Sequence, residues 1–295
     1  MSSYTTSDFL ASVRNRGNIP TTSNSNNVNG TANLLRVATE ELHIKLVPMI
    51  MGAREEFYVT HTDYAITADQ AEYEIPLRSM GMTLRDVQVV EGTQIRSLPP
   101  IDSEQVETTS TGPLQGYYIE HNNVILYPAP QSTAGTLRLR YFARPSALAA
   151  TSDCAQISSV DTVTGTITVS TIPSSWTANS VVDFVRQSIP HNCSAVDQTP
   201  VSVVGTTLVF ATLPAGLAVG DWVALSETTP IPQLPREFQP VLAQMTVVKV
   251  LEANGDKDGA MIAGKDFEML RDFALKLIQP RVVGERKKIV PRRWR

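Results

Sequence analysis

The hydrophobic period of this chain changes twice, and that order limits its fold more than any other feature. Near both ends apolar residues recur every three or four positions. Between about residues 58 and 229 the spacing drops to two. Thr6 to Arg16 reads as a short helix with Phe9, Leu10 and Val13 on one side. A polar loop, GNIPTTSNSNNVNG, follows over residues 17–30. Thr31 or Asn33 then caps a long helix running to about Phe57, striped by Leu35, Ala38, Leu42, Leu46, Met49 and Ala53. Pro48 lies inside that stripe and should kink or split the helix near Val47. At the other end, Phe238 to Ala253 forms a helix with Phe238, Leu242, Met245 and Val248 inside, and Asn254-Gly255 stops it. Asp258 can cap the next helix, from about Gly259 to Gln279, whose stripe is Ala263, Phe267, Leu270, Ala274 and Leu277. Pro280 ends it. A single apolar stripe needs a covering partner. Residues 1–57 and 235–280 should therefore pack together. The fold class is α+β: a helical bundle formed by the N- and C-terminal segments, with inserted antiparallel β domains and an extended C-terminal arm.

The β region divides in two. Over 58–148, short runs at Phe57–Thr60, Glu72–Ile75, Val87–Val90, Gly116–Glu120, Val124–Tyr127 and Thr136–Phe142 predict an antiparallel domain. His121-Asn122-Asn123 is a hairpin turn between two of them. Residues 151–229 form a second module containing an internal repeat. Val163–Pro173 (VTGTITVSTIP) aligns without gaps on Val204–Pro214 (VGTTLVFATLP) at an offset of 41. Duplication and convergent β patterning both give such a match. Two copies are too few for a solenoid but fit a duplicated hairpin closing a small barrel, which leaves no free edge.

Composition and motifs argue against an enzyme. At 42% hydrophobic and 18% charged residues, the chain buries a sizeable core and is not disordered overall. No GxSxG, GxGxxG after a strand, or GxxxxGK[ST] is present. His43, His61, His121 and His191 have no metal-ligand spacing. The carboxylate doublets Glu40-Glu41 and Glu55-Glu56 point to different helix faces, so neither is a shared acid–base site. We expect no catalytic residue, no cofactor and no metal. Cys154 and Cys193 are too few for a disulfide framework; they either pair across a small β domain or are two buried thiols. The N-terminus has no secretory pattern and no apolar stretch is long enough to span a bilayer, so a cytoplasmic origin without membrane contact is expected.

Charge is divided unevenly. Residues 281–295 hold seven basic side chains against Glu285, a net +6, while the chain totals −4; residues 1–280 therefore carry −10. A general nucleic-acid binder spreads positive charge over a folded face. Here an acidic body offers a short cationic arm. Ile289, Val290 and Trp294 are interleaved with Arg286, Lys287, Lys288, Arg292 and Arg293. That mixture suits docking into a partner's groove as well as attraction to charge. These eight are the expected partner-binding residues.

One helix phrase is LLRVATEELHIKLVPMIMGAREEFYV, and MLRDFALKLIQP precedes the basic tail. With an N-terminal helix pair and inserted β structure, the order resembles the head-to-tail adaptor (connector) proteins of tailed bacteriophages. The matching stretches are residues 31–58 and 236–295. The resemblance implies a non-enzymatic structural virion protein, assembled in the host cytoplasm and placed at the neck. Subunits would form a homo-oligomeric ring, typically twelvefold. The C-terminal arm would bind the portal protein, and the opposite end a tail or nozzle protein, with a fibre or spike as a further partner. Genomic DNA would pass through the channel without specific binding. The alternative is a tail completion or fibre/spike attachment protein that binds through its β modules.

Overall fold

The computed structural model describes residues 4–21, 27–105, 112–133, 135–189 and 191–279. The chain is mixed α+β and divides into two compact units: Glu55–Pro145, and Met1–Arg54 together with Ser146–Arg295.

The helices belong to the second of these. Helix α1 (Thr6–Gly17) starts with a capping box between Thr5 and Asp8 and buries Phe9, Leu10 and Val13. Helix α2 (Thr31–Glu41) runs into a π-helical turn at Leu42–Leu46, and α3 (Val47–Ala53) continues from it. The sequence predicted a break near Val47. Pro48 has no N–H to give Ile44 and would crowd that carbonyl. The backbone widens ahead of it, and Val47 N–H bonds to Leu42 O, five residues back. The extra residue turns the buried face. Leu42 and Leu46 are followed inside by Ile50, whereas Met49 and Ala53, expected in the stripe, are only half-buried. The helix ends at Ala53, short of Phe57.

Helix α4 (Gln239–Ala253) packs against α1, α2 and α5 (Lys257–Ile278). Every residue from Val241 to Val247 is buried. Gln244 stays satisfied there, donating to Ala263 O at 3.1 Å and accepting from Arg16 at 3.2 Å. Helix α5 is capped by Asp256, whose carboxylate accepts from Gly259 N–H, two residues before the expected cap Asp258. Its buried face keeps Ala263 and Ala274. Leu277, expected in that stripe, is 62% exposed.

Within Glu55–Pro145, seven strands form two sheets: β1 (Val59–Ala65), β2 (Glu72–Glu74), β3 (Ser79–Glu91), β4 (Gln94–Ser97), β5 (Gly116–Glu120), β6 (Asn123–Tyr127) and β7 (Thr136–Ala143). One sheet has the order β1-β7-β3-β4 and the other β2-β6-β5. Tyr73, Val87, Val89, Val124, Leu126, Leu137 and Leu139, drawn from both, share one core. His121 takes a positive φ of 53° in the two-residue turn between β5 and β6, at the predicted position.

The repeat region lies in the same compact unit as the helices. Strand β8 (Ala147–Leu148) leads into β9 (Ala155–Asp161), β10 (Thr166–Val169), β11 (Val182–Val185), β12 (Cys193–Gln198), β13 (Ser202–Val204), β14 (Thr207–Val209) and β15 (Trp222–Leu225). Strand β16 (Thr228–Thr229) returns to pair in parallel with β8. The sheet order is β12-β11-β15-β9-β10-β14-β13. Its two ends, β12 and β13, are successive parts of one run of chain, so the sheet closes on itself.

The repeat becomes a local twofold axis. Ile167 pairs directly with Leu208, its repeat equivalent, and Thr166 and Thr168 pair with Val209 and Thr207 around it. On β11 and β15, Asp183 pairs with Ala224 at the same offset of 41, flanked by Val182 with Leu225 and Phe184 with Val223. Bonds from Phe210 N to Gly165 O and from Val169 N to Thr206 O are one bond copied by the axis. Gly165 has φ 69°, and a Cβ there would lie 2.4 Å from Phe210 O, so this crossing requires glycine.

Ile167→Ala and Leu208→Ala should each lower stability by about 2–5 kcal/mol in urea unfolding, and the double change should deviate from additivity because the two side chains are cross-strand partners. Cys154 is buried and Cys193 half-buried. Burial pushes the Cys154 thiol up to about 12. A thiol reagent at pH 8 should therefore modify Cys193 in the native protein and reach Cys154 only on unfolding; two fast-reacting thiols in the native state would contradict the structure.

Candidate functional site

The sequence-predicted docking residues Arg286, Lys287, Lys288, Ile289, Val290, Arg292, Arg293 and Trp294 lie outside the described residues. Chain order puts them directly after α5, which closes at Ile278 with Gln279 as its C-terminal cap. Sequence reasoning did not anticipate two features of the described residues.

The first is the outer face of α5. Met261, Ile262, Met269, Phe273 and Leu277 are each more than half exposed there. Single exposed apolar residues are ordinary, but a row along one helix marks a surface that another molecule covers. The inward stripe was legible because small residues, Ala260, Ala263 and Ala274, meet α4. The larger residues carry the outward row.

The second is a cavity of about 660 Å³ at one end of the closed sheet. Its walls come from the β11–β12 connection (Arg186, Gln187, His191), the loop before β15 (Gly216, Ala218, Val219, Asp221), Tyr4, and the start of the last helical run (Arg236, Gln239). Asp221 is 5% exposed, and its carboxylate holds the walls together, accepting from Gln187 N at 2.9 Å and Ala218 N at 3.0 Å. Gly220 has φ 95°, and a Cβ on it would meet Gln187 Oε1 at 2.3 Å, so the two walls approach this closely only at glycine. His191 is buried at φ 60°, its Nδ1 3.4 Å from Arg186 O. Desolvation, with a smaller push from Arg236, holds its pKa below the ordinary value. Arg186 Nη2 reaches Ala215 O at 3.5 Å, while its Nε is buried without a hydrogen-bond partner. The helical run opening at Arg236 has no side-chain cap at its start. None of this was readable beforehand, because the stretches that meet here are separated by 15 residues or more in sequence.

Among the described residues, no group of three or more His, Cys, Asp or Glu side chains is placed to hold a metal ion. No described helix is long and apolar enough to cross a membrane. The four histidines are dispersed over α2–α3, β1, the β5–β6 turn and the cavity wall.

The family model for SU10 adaptor protein matches residues 4–170. The match begins ahead of α1, takes in every strand of the Glu55–Pro145 unit and ends just after the β9–β10 hairpin. No curated protein matches the chain. The matched stretch is more than half of the chain's length; it takes in the first of the two stretches that carried the resemblance, residues 31–58, and stops short of the second, 236–295. The chain belongs to the SU10 adaptor protein family, and its role is that of a phage structural adaptor.

Proposed function

We propose that this protein is a head-to-tail adaptor: a ring of identical subunits, twelve in keeping with the resemblance, that docks on the portal protein and joins the capsid vertex to the tail. In this reading residues 1–57 and 235–280 form the helical bundle. Residues 58–148 and 151–229 are modules inserted into it, and 281–295 are the portal-binding arm. The observation that carries the proposal is the charge division within an adaptor-family chain, −10 in residues 1–280 against +6 in 281–295. An acidic lumen lets DNA pass without gripping it. A cationic arm with Trp294 supplies both steering and an aromatic anchor for an acidic portal rim.

A ring of one chain needs two different faces that meet around the axis. The apolar row Met269, Phe273 and Leu277 on α5 is the kind of face a neighbouring subunit covers. The tail or nozzle protein would meet the opposite end of the ring.

The alternative, a tail completion or fibre/spike attachment protein working through its β modules, draws on Val163 and Val204. These repeat-equivalent residues are 94% and 70% exposed. Changing both to Asp should leave portal binding intact and cost little stability, since surface changes stay within about 0.5 kcal/mol. Loss of fibre binding with portal binding retained would favour the alternative.

Truncation after Gln279 tests the arm. Ring formation, seen by negative-stain imaging, should survive, and affinity for purified portal should fall at least about tenfold. Unchanged portal affinity would eliminate the arm as the docking element.

A further inference from the structure

The cavity below the closed sheet is built like an anion receptor. Two arginines, Arg186 and Arg236, line it. Asp221, the carboxylate among the described wall residues, accepts from two backbone N–H groups. A helical run opens into it with no side-chain cap, which adds the positive end of a helix dipole. Arg186 places its guanidinium in this wall, with Nη2 donating to Ala215 O at 3.5 Å.

Shape decides between kinds of anion. A duplex carries its phosphates on the outside of a thick rod, and a concave space of about 660 Å³ admits a side chain or short segment rather than that rod. The rim adds an apolar element: Ile189 and Val219 are 44% and 64% exposed at the mouth. A carboxylate beside an apolar residue fits that combination better than a bare inorganic anion does.

We propose that this cavity is a docking site for an acidic peptide segment of a partner protein, with a carboxylate set against Arg186 and Arg236 and a neighbouring apolar side chain against Ile189 and Val219. It goes beyond the portal-binding role of the arm and uses none of the arm's residues. A planar guanidinium takes a carboxylate through two parallel N–H···O bonds. The guanidinium of Arg186, in the cavity wall, carries such a fork.

The test is isothermal titration of the full chain, at low salt, with a capped hexapeptide of alternating Glu and Leu and, separately, with inorganic phosphate. The wild-type chain should bind one peptide per subunit. Arg186→Gln should weaken that binding by roughly tenfold or more. Val219→Glu alters an exposed side chain and leaves folding intact; it should weaken binding too, by placing a like charge at the mouth. The paired change Lys287→Gln with Lys288→Gln, in the arm, should leave peptide affinity within about twofold. Absence of wild-type binding, unchanged affinity in both cavity variants, or loss confined to the arm variant would overturn the proposal. So would phosphate binding as tightly as the peptide and with the same dependence on Arg186, which would make this a small-anion site only. Because portal affinity is measured on the truncated chain and peptide affinity on cavity variants, failure of either reading leaves the other standing.

Discussion

The burial of α4 is the constraint from which the rest of its compact unit follows. Seven successive residues, Val241 to Val247, are buried, and Val250 one turn later is buried as well. No single neighbour can cover a helix on all sides, so α4 needs α1, α2 and α5 around it. Each large side chain so buried contributes about 1.5–3 kcal/mol of transfer free energy. The two polar residues inside it are committed locally. Thr246 bonds back to Leu242 O, and Gln244 links Arg16 of α1 to Ala263 of α5. A chain whose N-terminal and C-terminal helices share such an element must complete both ends before either is stable. The β structure between them is therefore held at its two ends by one core.

How much of this was readable beforehand depended on how local each determinant is. The α1 boundaries follow from Thr5 and Asp8, neighbours in sequence, and the β5–β6 turn from His121-Asn122. Both were legible. The π-helical turn was half legible. Pro48 announced a disturbance, but whether a helix breaks, kinks or widens depends on what the next turn must bury, and here that is Ile50. The cap of α5 moved from Asp258 to Asp256 because two acids compete within one turn and backbone geometry selects between them. Leu277 was placed inside by periodicity. By that point along α5 the covering helix no longer reaches it, and a pattern cannot report where its partner stops. Strand β4 is exposed at all four positions, so it has no alternation to read. The cavity is the least local feature of all: its walls come from four separate stretches.

The repeat shows what duplication supplies and where it stops. A single hairpin exposes two edges, and exposed edges invite pairing with other chains. Two copies related by a twofold axis satisfy each other: β10 meets β14 and β11 meets β15, equivalent to equivalent. Residues equivalent by the offset of 41 recur in the enclosed core as matched pairs. Ile167 with Leu208, Val169 with Phe210, Ile172 with Leu213, Trp176 with Leu217 and Val182 with Val223 all fall in one cluster. The pairs trade volume, Trp176 against Leu217 in one direction and Val169 against Phe210 in the other.

The axis also marks the point of divergence. At Ile167 and Leu208 it passes between two interchangeable aliphatic side chains. At its other exit it passes between Asp183 and Ala224, which are not interchangeable. The Asp183 carboxylate is inaccessible to solvent, and it accepts from Asp197 N and Glu227 N, both at 2.9 Å. Those residues have φ of 54° and 63°, conformations a non-glycine residue adopts only when held there. Charge-assisted bonds to backbone N–H groups offset both the strain and the cost of burying the charge. Glu227 is the residue just before β16, where the chain leaves the repeat and heads for α4. A symmetric pair of alanines would leave that exit untied, and a symmetric pair of aspartates would place two buried like charges side by side. One aspartate is thus the arrangement that fixes the exit without repulsion, and the need to return the chain to the helices is what breaks the symmetry of the duplicated halves.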